Sequence, residues 1–207
     1  MRSYKIFMLS ALLITAAGSY AQKGEFRGTA SYSAAMPIGS FKDDVISKTS
    51  FRGVDINLLY GVSDKVSVGF TTGYQDFYEK YPRQVYKLSD GSDVSAVISN
   101  SVQQIPLLAT ARYNFMTEGA IRPYALAGLG GNLVLNRQFL GEYSNDNTSR
   151  FALSARPEVG VFFPFGKDAE TGINVGAYFN YVRYNKGDID NMNSVGIRLG
   201  IGFPMRN

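Results

Sequence analysis

A chain of 207 residues that is 45% hydrophobic and 18% charged fits one domain, and this composition is that of an ordered protein rather than of a disordered chain. The absence of His and Cys removes thiol nucleophiles, imidazole general bases, and metal sites built on thiolate or imidazole. The formal charge of +4 falls to +2 (19 basic against 17 acidic residues) once the first 21 residues are set aside, too small an excess to indicate a nucleic-acid partner.

Those first residues read as an address. Arg2 and Lys5 form a positive start, Ile6 to Ala17 is an apolar run, and Ser19-Tyr20-Ala21 supplies small residues where a signal peptidase cuts, so cleavage is expected before Gln22. The apolar run falls short of the roughly 20 residues a membrane-spanning helix needs. Residues 1–21 are therefore expected to be a cleaved signal peptide and residues 22–207 the mature domain. No Cys stands at the junction to carry a lipid.

From Gln22 onward the chain alternates with period two, in stretches of about ten residues separated by turn-rich links. Glu25 to Met36 is rich in Ala and Gly and reads as a first strand. Ser50 to Tyr60 sets Val54, Ile56, Leu58 and Tyr60 against Asp55 and Asn57, and Val66 to Tyr74 sets Val66, Val68, Phe70 and Tyr74 against Ser67, Gly69, Thr71 and Gly73. Val102 to Phe115 opposes Ile105, Leu107, Ala109, Ala111 and Tyr113 to Gln104, Thr110, Arg112 and Asn114. Arg122 to Arg137 is less regular, again rich in Ala and Gly, and reads as a fifth strand. Arg150 to Phe163 opposes Phe151, Leu153, Ala155, Val159 and Val161 to Ser154, Arg156, Glu158 and Gly160. Ile173 to Tyr181 and Ser194 to Phe203 complete a set of about eight.

The links alternate in length. Gly61 to Lys65, Met116 to Ile121 and Gly166 to Gly172 are short; Pro37 to Thr49, Glu79 to Ser101, Gln138 to Ser149 and Asn185 to Asn193 are long. An even number of strands that begins and ends on the short-turn side is the order of an outer-membrane barrel, with short turns and both termini in the periplasm. Alternation alone also admits a soluble lipocalin-like barrel with its apolar face inside. The polar sets here are mostly Gly, Ser, Thr and Asn, which suit a narrow lumen better than a solvated surface, where Lys and Glu would be dense. Phe26, Tyr60, Tyr74, Tyr113, Phe115, Tyr124, Phe163, Phe165, Tyr181, Tyr184 and Phe203, near strand ends, are expected to form interfacial girdles.

With the apolar faces toward lipid, Arg27, Asp55, Arg112, Arg156, Glu158 and Arg198 project into the lumen. The expectation is a structural network in which Asp55 and Glu158 bridge arginines and help fill an interior that about eight strands leave just wide enough for side chains. The functional alternative is a gate or a narrow anion-preferring path, because arginines outnumber carboxylates. No catalytic, cofactor or metal site is expected. Asp90-Gly91-Ser92-Asp93 lacks the remaining oxygens of a calcium loop, and Gly128-Leu129-Gly130-Gly131 lacks the helix and Lys-Ser/Thr of a phosphate loop. Residues 79–101, with Tyr81, Tyr86, Leu88, Val94, Val97 and Ile98, read either as strand extensions beyond the membrane or as a recognition element for an extracellular partner.

Pro37-Ile38-Gly39-Ser40-Phe41 after the first strand, Arg122-Pro123-Tyr124 opening the fifth, and the closing Gly196 to Phe203 strand make the mature chain resemble small outer-membrane barrels of the OmpX and OmpA-domain type, and more specifically the porin-like outer membrane protein beta-barrel domain family. The resemblance implies an all-β, eight-stranded, antiparallel up-and-down transmembrane barrel, with outer-membrane lipid and the barrel-insertion machinery as partners. One departure is that Phe203, the counterpart of the usual terminal aromatic, is followed by Pro204-Met205-Arg206-Asn207. The reading is a non-enzymatic barrel with a structural or surface-interaction role; the alternatives are a gated passage for small solutes and a soluble periplasmic ligand binder.

Overall fold

A computed structural model describes residues 24–87, 93–140, 143–166, 169–186 and 189–205. The signal segment, residues 88–92 with most of the Asp90–Asp93 turn, and residues 206–207 lie outside the described residues.

Eight strands form the body: β1 (Phe26–Pro37), β2 (Ser50–Gly61), β3 (Val66–Lys80), β4 (Ile98–Asn114), β5 (Arg122–Leu140), β6 (Tyr143–Pro164), β7 (Gly172–Lys186) and β8 (Ser194–Met205). Each pairs antiparallel with the next, and β8 returns to β1 in a ladder running from Phe26↔Met205 to Pro37↔Ser194, which closes the sheet. Closure gives each of the eight strands a neighbour on both sides, so the barrel wall has no edge strand among the described residues. Three short strands lie outside the barrel wall: Gln84–Lys87 pairs with Asp93–Ala96, and Ile189–Asn191 pairs with β7.

The two faces have the polarity of a membrane barrel. Leu129, Val159 and Ile197 are 68%, 63% and 65% exposed on the outside, and Ile56, Phe70, Val175, Leu199 and Ile201 join them. Thr29, Asn57, Thr71, Thr110, Asn174 and Asn180 are buried inside. A lipocalin-like barrel requires the reverse arrangement, so that alternative is excluded: a continuous apolar belt of this kind would aggregate in water and is stable only against lipid.

Several strands run further than the alternation suggested. β3 continues from Tyr74 to Lys80, β7 from Tyr181 to Lys186, β4 begins at Ile98 rather than Val102, and β6 begins at Tyr143. The link expected over residues 138–149 is thus mostly a continuation of the β5–β6 hairpin, in which Gln138 still pairs with Asp146. The extensions went unread because the pattern inverts beyond the apolar belt. There Phe77, Val102, Val134, Val182 and Tyr184 point inward and are buried, while Lys80, Arg137 and Arg183 face outward.

Two of the expected girdle aromatics are inside as well. Tyr124 and Tyr184 are 1% and 2% exposed, whereas Phe26, Tyr60, Tyr113, Phe115, Phe163, Phe165 and Phe203 are exposed around the short-turn end. Tyr124 follows Arg122 at a spacing of two, on the inward phase of β5, so its position is a matter of parity rather than of nearness to a strand end. Tyr178 on β7 is buried inside as well, and the lumen accommodates the rings of Tyr124 and Tyr178 because the wall beside them is bare. A Cβ on Gly160 would lie 2.5 Å from Tyr124 Cζ, and one on Gly196 would lie 2.4 Å from Tyr178 Cζ.

Gly160→Val and Gly196→Val are each expected to displace an inward tyrosine and destabilise the barrel by about 1–3 kcal/mol, the usual range for overpacking. The temperature at which gel mobility shifts from folded to unfolded measures this, and an unchanged temperature would refute the tight seating of the rings.

Candidate functional site: a three-tier lumen

Inward side chains divide the lumen into three tiers along its axis. The middle tier holds two ion pairs. Asp55 on β2 accepts a hydrogen bond from Arg156 Nη1 on β6 at 2.6 Å, and both side chains are 4% exposed. The register makes β2 and β6 non-neighbours, so this contact spans the interior. Glu158, two residues further along β6, pairs through Oε1 with Arg198 Nη2 on β8 at 2.7 Å, and the side chains are 0% and 2% exposed.

Aromatic and amide groups extend these pairs. Tyr124 donates its hydroxyl to Glu158 Oε1 at 2.8 Å. The Arg112 guanidinium lies 3.8 Å from the Tyr124 ring centroid, and that of Arg156 lies 4.7 Å from the Tyr178 centroid, both within cation–π range. The Asn57 amide, oriented by its neighbours on either side, accepts from Arg198 Nη1 at 2.5 Å and donates to Thr71 Oγ1 at 2.5 Å. Charges buried this deeply are stable only when paired and hydrogen-bonded, and each carboxylate here meets an arginine.

The tier toward the long links is apolar. After β1 the chain turns at Gly39, whose φ of +59° lies in the left-handed region that glycine tolerates, and folds back as a one-turn π-helix over Phe41–Val45. Phe41 and Ile46 are fully buried, and Phe41 meets Phe77 edge to face with centroids 5.0 Å apart. Val45, Val102, Val134, Ala152, Val182, Tyr184 and Met192 join the cluster, which closes this end of the barrel. Polar contacts hold the plug to the wall. Glu79 accepts from the Ser47 backbone N–H at 2.6 Å and from Ser47 Oγ at 2.9 Å, and Tyr81 donates to the Val45 carbonyl at 3.2 Å. Burial, and after it the Glu79 carboxylate, raise the Tyr81 phenol above its usual range, so it remains a protonated donor. Ser40 Oγ reaches the Asn191 carbonyl at 3.0 Å, tying the plug to the last long link.

The tier toward the short turns is basic and open. Arg27, Arg112 and Arg122 line it with Asn114. Arg27 sits 3.7 Å from Glu170 on the turn between β6 and β7, and Arg112 Nε donates to Asn114 at 2.8 Å. Of the six charged residues read from the sequence, Asp55, Arg156, Glu158 and Arg198 thus meet in the middle tier. Arg112 borders it through Tyr124, and Arg27 stands apart at the turn end. Tyr124, Tyr178, Asn57 and Glu170 were missed as partners, as was the plug. Strand parity carries a signal for the first three, whereas Glu170 and Phe41 sit in links, where periodicity is silent.

A closed antiparallel barrel with an apolar exterior and a polar, filled lumen defines an integral membrane β-barrel. A family model described as outer membrane protein beta-barrel domain matches residues 6–203, and the chain belongs to that family, whose place is the outer membrane. Solved structures of the same fold include neisserial surface protein A, 16% identical with a TM-score of 0.51, covering 86% of this chain and 95% of that one. Ail, the attachment invasion locus protein of Yersinia pestis, solved in complex with the heparin analogue sucrose octasulfate, is 14% identical with a TM-score of 0.52, covering 88% and 99%. The outer membrane protein OprG of Pseudomonas aeruginosa is 11% identical with a TM-score of 0.51, covering 90% and 98%. No curated protein matches the chain.

Asp55→Asn leaves Arg156 without its counter-charge and is expected to destabilise the barrel by about 3–5 kcal/mol, while Asp55→Leu combined with Arg156→Met recovers most of the loss. Urea unfolding in detergent micelles measures both; a single variant as stable as the parent would show that the pair contributes nothing.

Proposed function

We propose that the protein is a closed, non-enzymatic outer-membrane barrel with a structural or surface-interaction role, not a passage for solutes. The observation that carries this reading is the lumen itself, obstructed in series by two buried ion pairs and, beyond them, by the Phe41–Ile46 plug. An eight-stranded barrel is just wide enough to be filled by its own side chains, and this one is filled. The gated-passage alternative requires both obstructions to move together, and the plug is held to three separate elements, β3, the segment just beyond it, and the last long link.

In this reading residues 1–21 are removed before Gln22, the insertion machinery assembles the mature chain, and the short turns and both termini lie in the periplasm. The long links then face outside. β5 and β6 have 19 and 22 residues, against the roughly 9–11 a membrane strand needs, so their hairpin projects on the order of 20 Å beyond the apolar belt. That hairpin and residues 79–101 are the surfaces for an extracellular partner. A surface protein and an attachment protein among the solved barrels of this fold are in keeping with a role carried by the links rather than by the lumen.

Purified protein in planar bilayers is expected to show no steady conductance, and Phe41→Asp, which unseats the plug, is expected to leave it closed because the ion pairs remain below. A steady ohmic current in the parent protein would overturn the closed reading.

The absence of native Cys makes single-cysteine labelling clean. Arg137→Cys is expected to react with a membrane-impermeant maleimide on intact cells, and Lys65→Cys to react only after the outer membrane is breached. The reverse pattern would invert the orientation.

A further inference from the structure

The turn-end tier carries charges that the middle network does not absorb. Asp55 and Glu158 are each committed to an arginine, Arg156 and Arg198. What remains, among the described residues lining the turn-end cavity, is Arg27 and Arg112 against the single carboxylate of Glu170. That carboxylate is 3.7 Å from Arg27, too far for a hydrogen bond, and Arg27 Nη2 is buried without a hydrogen-bond acceptor among the described residues. The cavity between these groups measures about 30 Å³ and opens at the turn end, so a small anion can enter it from that side.

We propose that this cavity is a binding site for a small anion, a halide or the oxyanion head of a phosphate, which bridges Arg27 and Arg112. Both guanidiniums line the cavity, and Arg27 presents there an Nη2 that makes no hydrogen bond, its ion-pair partner Glu170 lying 3.7 Å away. Positive charge inside low-dielectric walls focuses its field along the lumen axis, and the ion pairs and plug stop the anion from going further. The site is therefore a blind pocket. Guanidinium prefers oxyanions, to which it can donate two parallel hydrogen bonds, so phosphate is expected to bind more tightly than chloride. The proposal does not depend on the role of the long links.

The test uses the refolded protein in zwitterionic micelles at constant ionic strength, starting in sodium gluconate, whose anion is too large for the cavity. Sodium chloride and sodium phosphate are titrated in separately while the ¹H–¹⁵N resonances of arginine Nε–Hε groups are followed. Saturable shifts at Arg27 and Arg112, with Arg156 and Arg198 unmoved, are expected in both series, at lower concentration for phosphate. Arg27→Gln should weaken binding about tenfold, and Glu170→Gln, which removes the competing carboxylate, should tighten it. A merely structural Arg27–Glu170 pair would leave anion binding unchanged in both variants. Shifts that rise linearly without saturating, or a Glu170→Gln variant that binds more weakly, would overturn the site. Should Arg27→Gln fail to fold, the opposite-sign effect of Glu170→Gln decides by itself.

Discussion

Everything in this molecule follows from the need to satisfy backbone hydrogen bonds where no water is available. In the hydrocarbon each unpaired N–H or C=O costs several kcal/mol, so a strand can cross only with a partner on both sides. The β1–β8 ladder supplies the last of those partners and converts a sheet into a tube. Once the tube is closed, period two assigns each strand residue within the hydrocarbon to lipid or to lumen. The distribution of Val, Ile, Leu and Phe against Ser, Thr, Asn and Gly is the chemical record of that assignment.

Closure also determines what the interior must be. Eight strands enclose a space that side chains can fill, and in principle apolar side chains would fill it at less electrostatic risk than buried charges. The chain uses both solutions at different depths. Where lipid surrounds the wall, the lumen holds Asp55–Arg156 and Glu158–Arg198; where the wall projects beyond the lipid, it holds Phe41, Phe77, Val102 and Val182. The second region is an ordinary hydrophobic core, with water on its outside and apolar groups within, built from strand ends that have left the membrane. The π-helix is needed there because strand ends alone leave the top of that core uncovered.

This change of solvent along a single strand explains what could be read from the sequence and what could not. The strand bodies were legible because one rule, apolar outward, holds across the lipid. At Gln75 on β3 the rule reverses: Tyr74 faces lipid, whereas Phe77 and Glu79 are buried inside and Lys80 is outside. The apolar phase breaks there although the strand continues. The inward charges were legible by the same parity, since Asp55, Arg156, Glu158 and Arg198 interrupt apolar runs at the polar phase. Their partners were not, because a contact between residues 55 and 156 depends on which strands stand opposite each other across the tube. Tyr124 shows a further limit, as an aromatic near a strand end suits a girdle and a lumen equally well until its phase is counted.

The buried pairs have a consequence for register that an apolar lumen would lack. Because side-chain period is two, a one-residue slip of β6 against its neighbours exchanges its faces completely. Arg156 and Glu158 would then face lipid, at about 2–4 kcal/mol for an arginine near the bilayer midplane, and Phe151, Leu153 and Val159 would crowd the lumen. The Arg–carboxylate partners on β2 and β8 would be left buried and unpaired, adding a further penalty on the far side of the barrel. A lumen of Ala and Leu would make the same slip far less expensive, since both faces would then be apolar. The ion pairs that contribute little net stability over a hydrophobic filling therefore distinguish the correct register from its nearest competitors, across strands that share no backbone hydrogen bond.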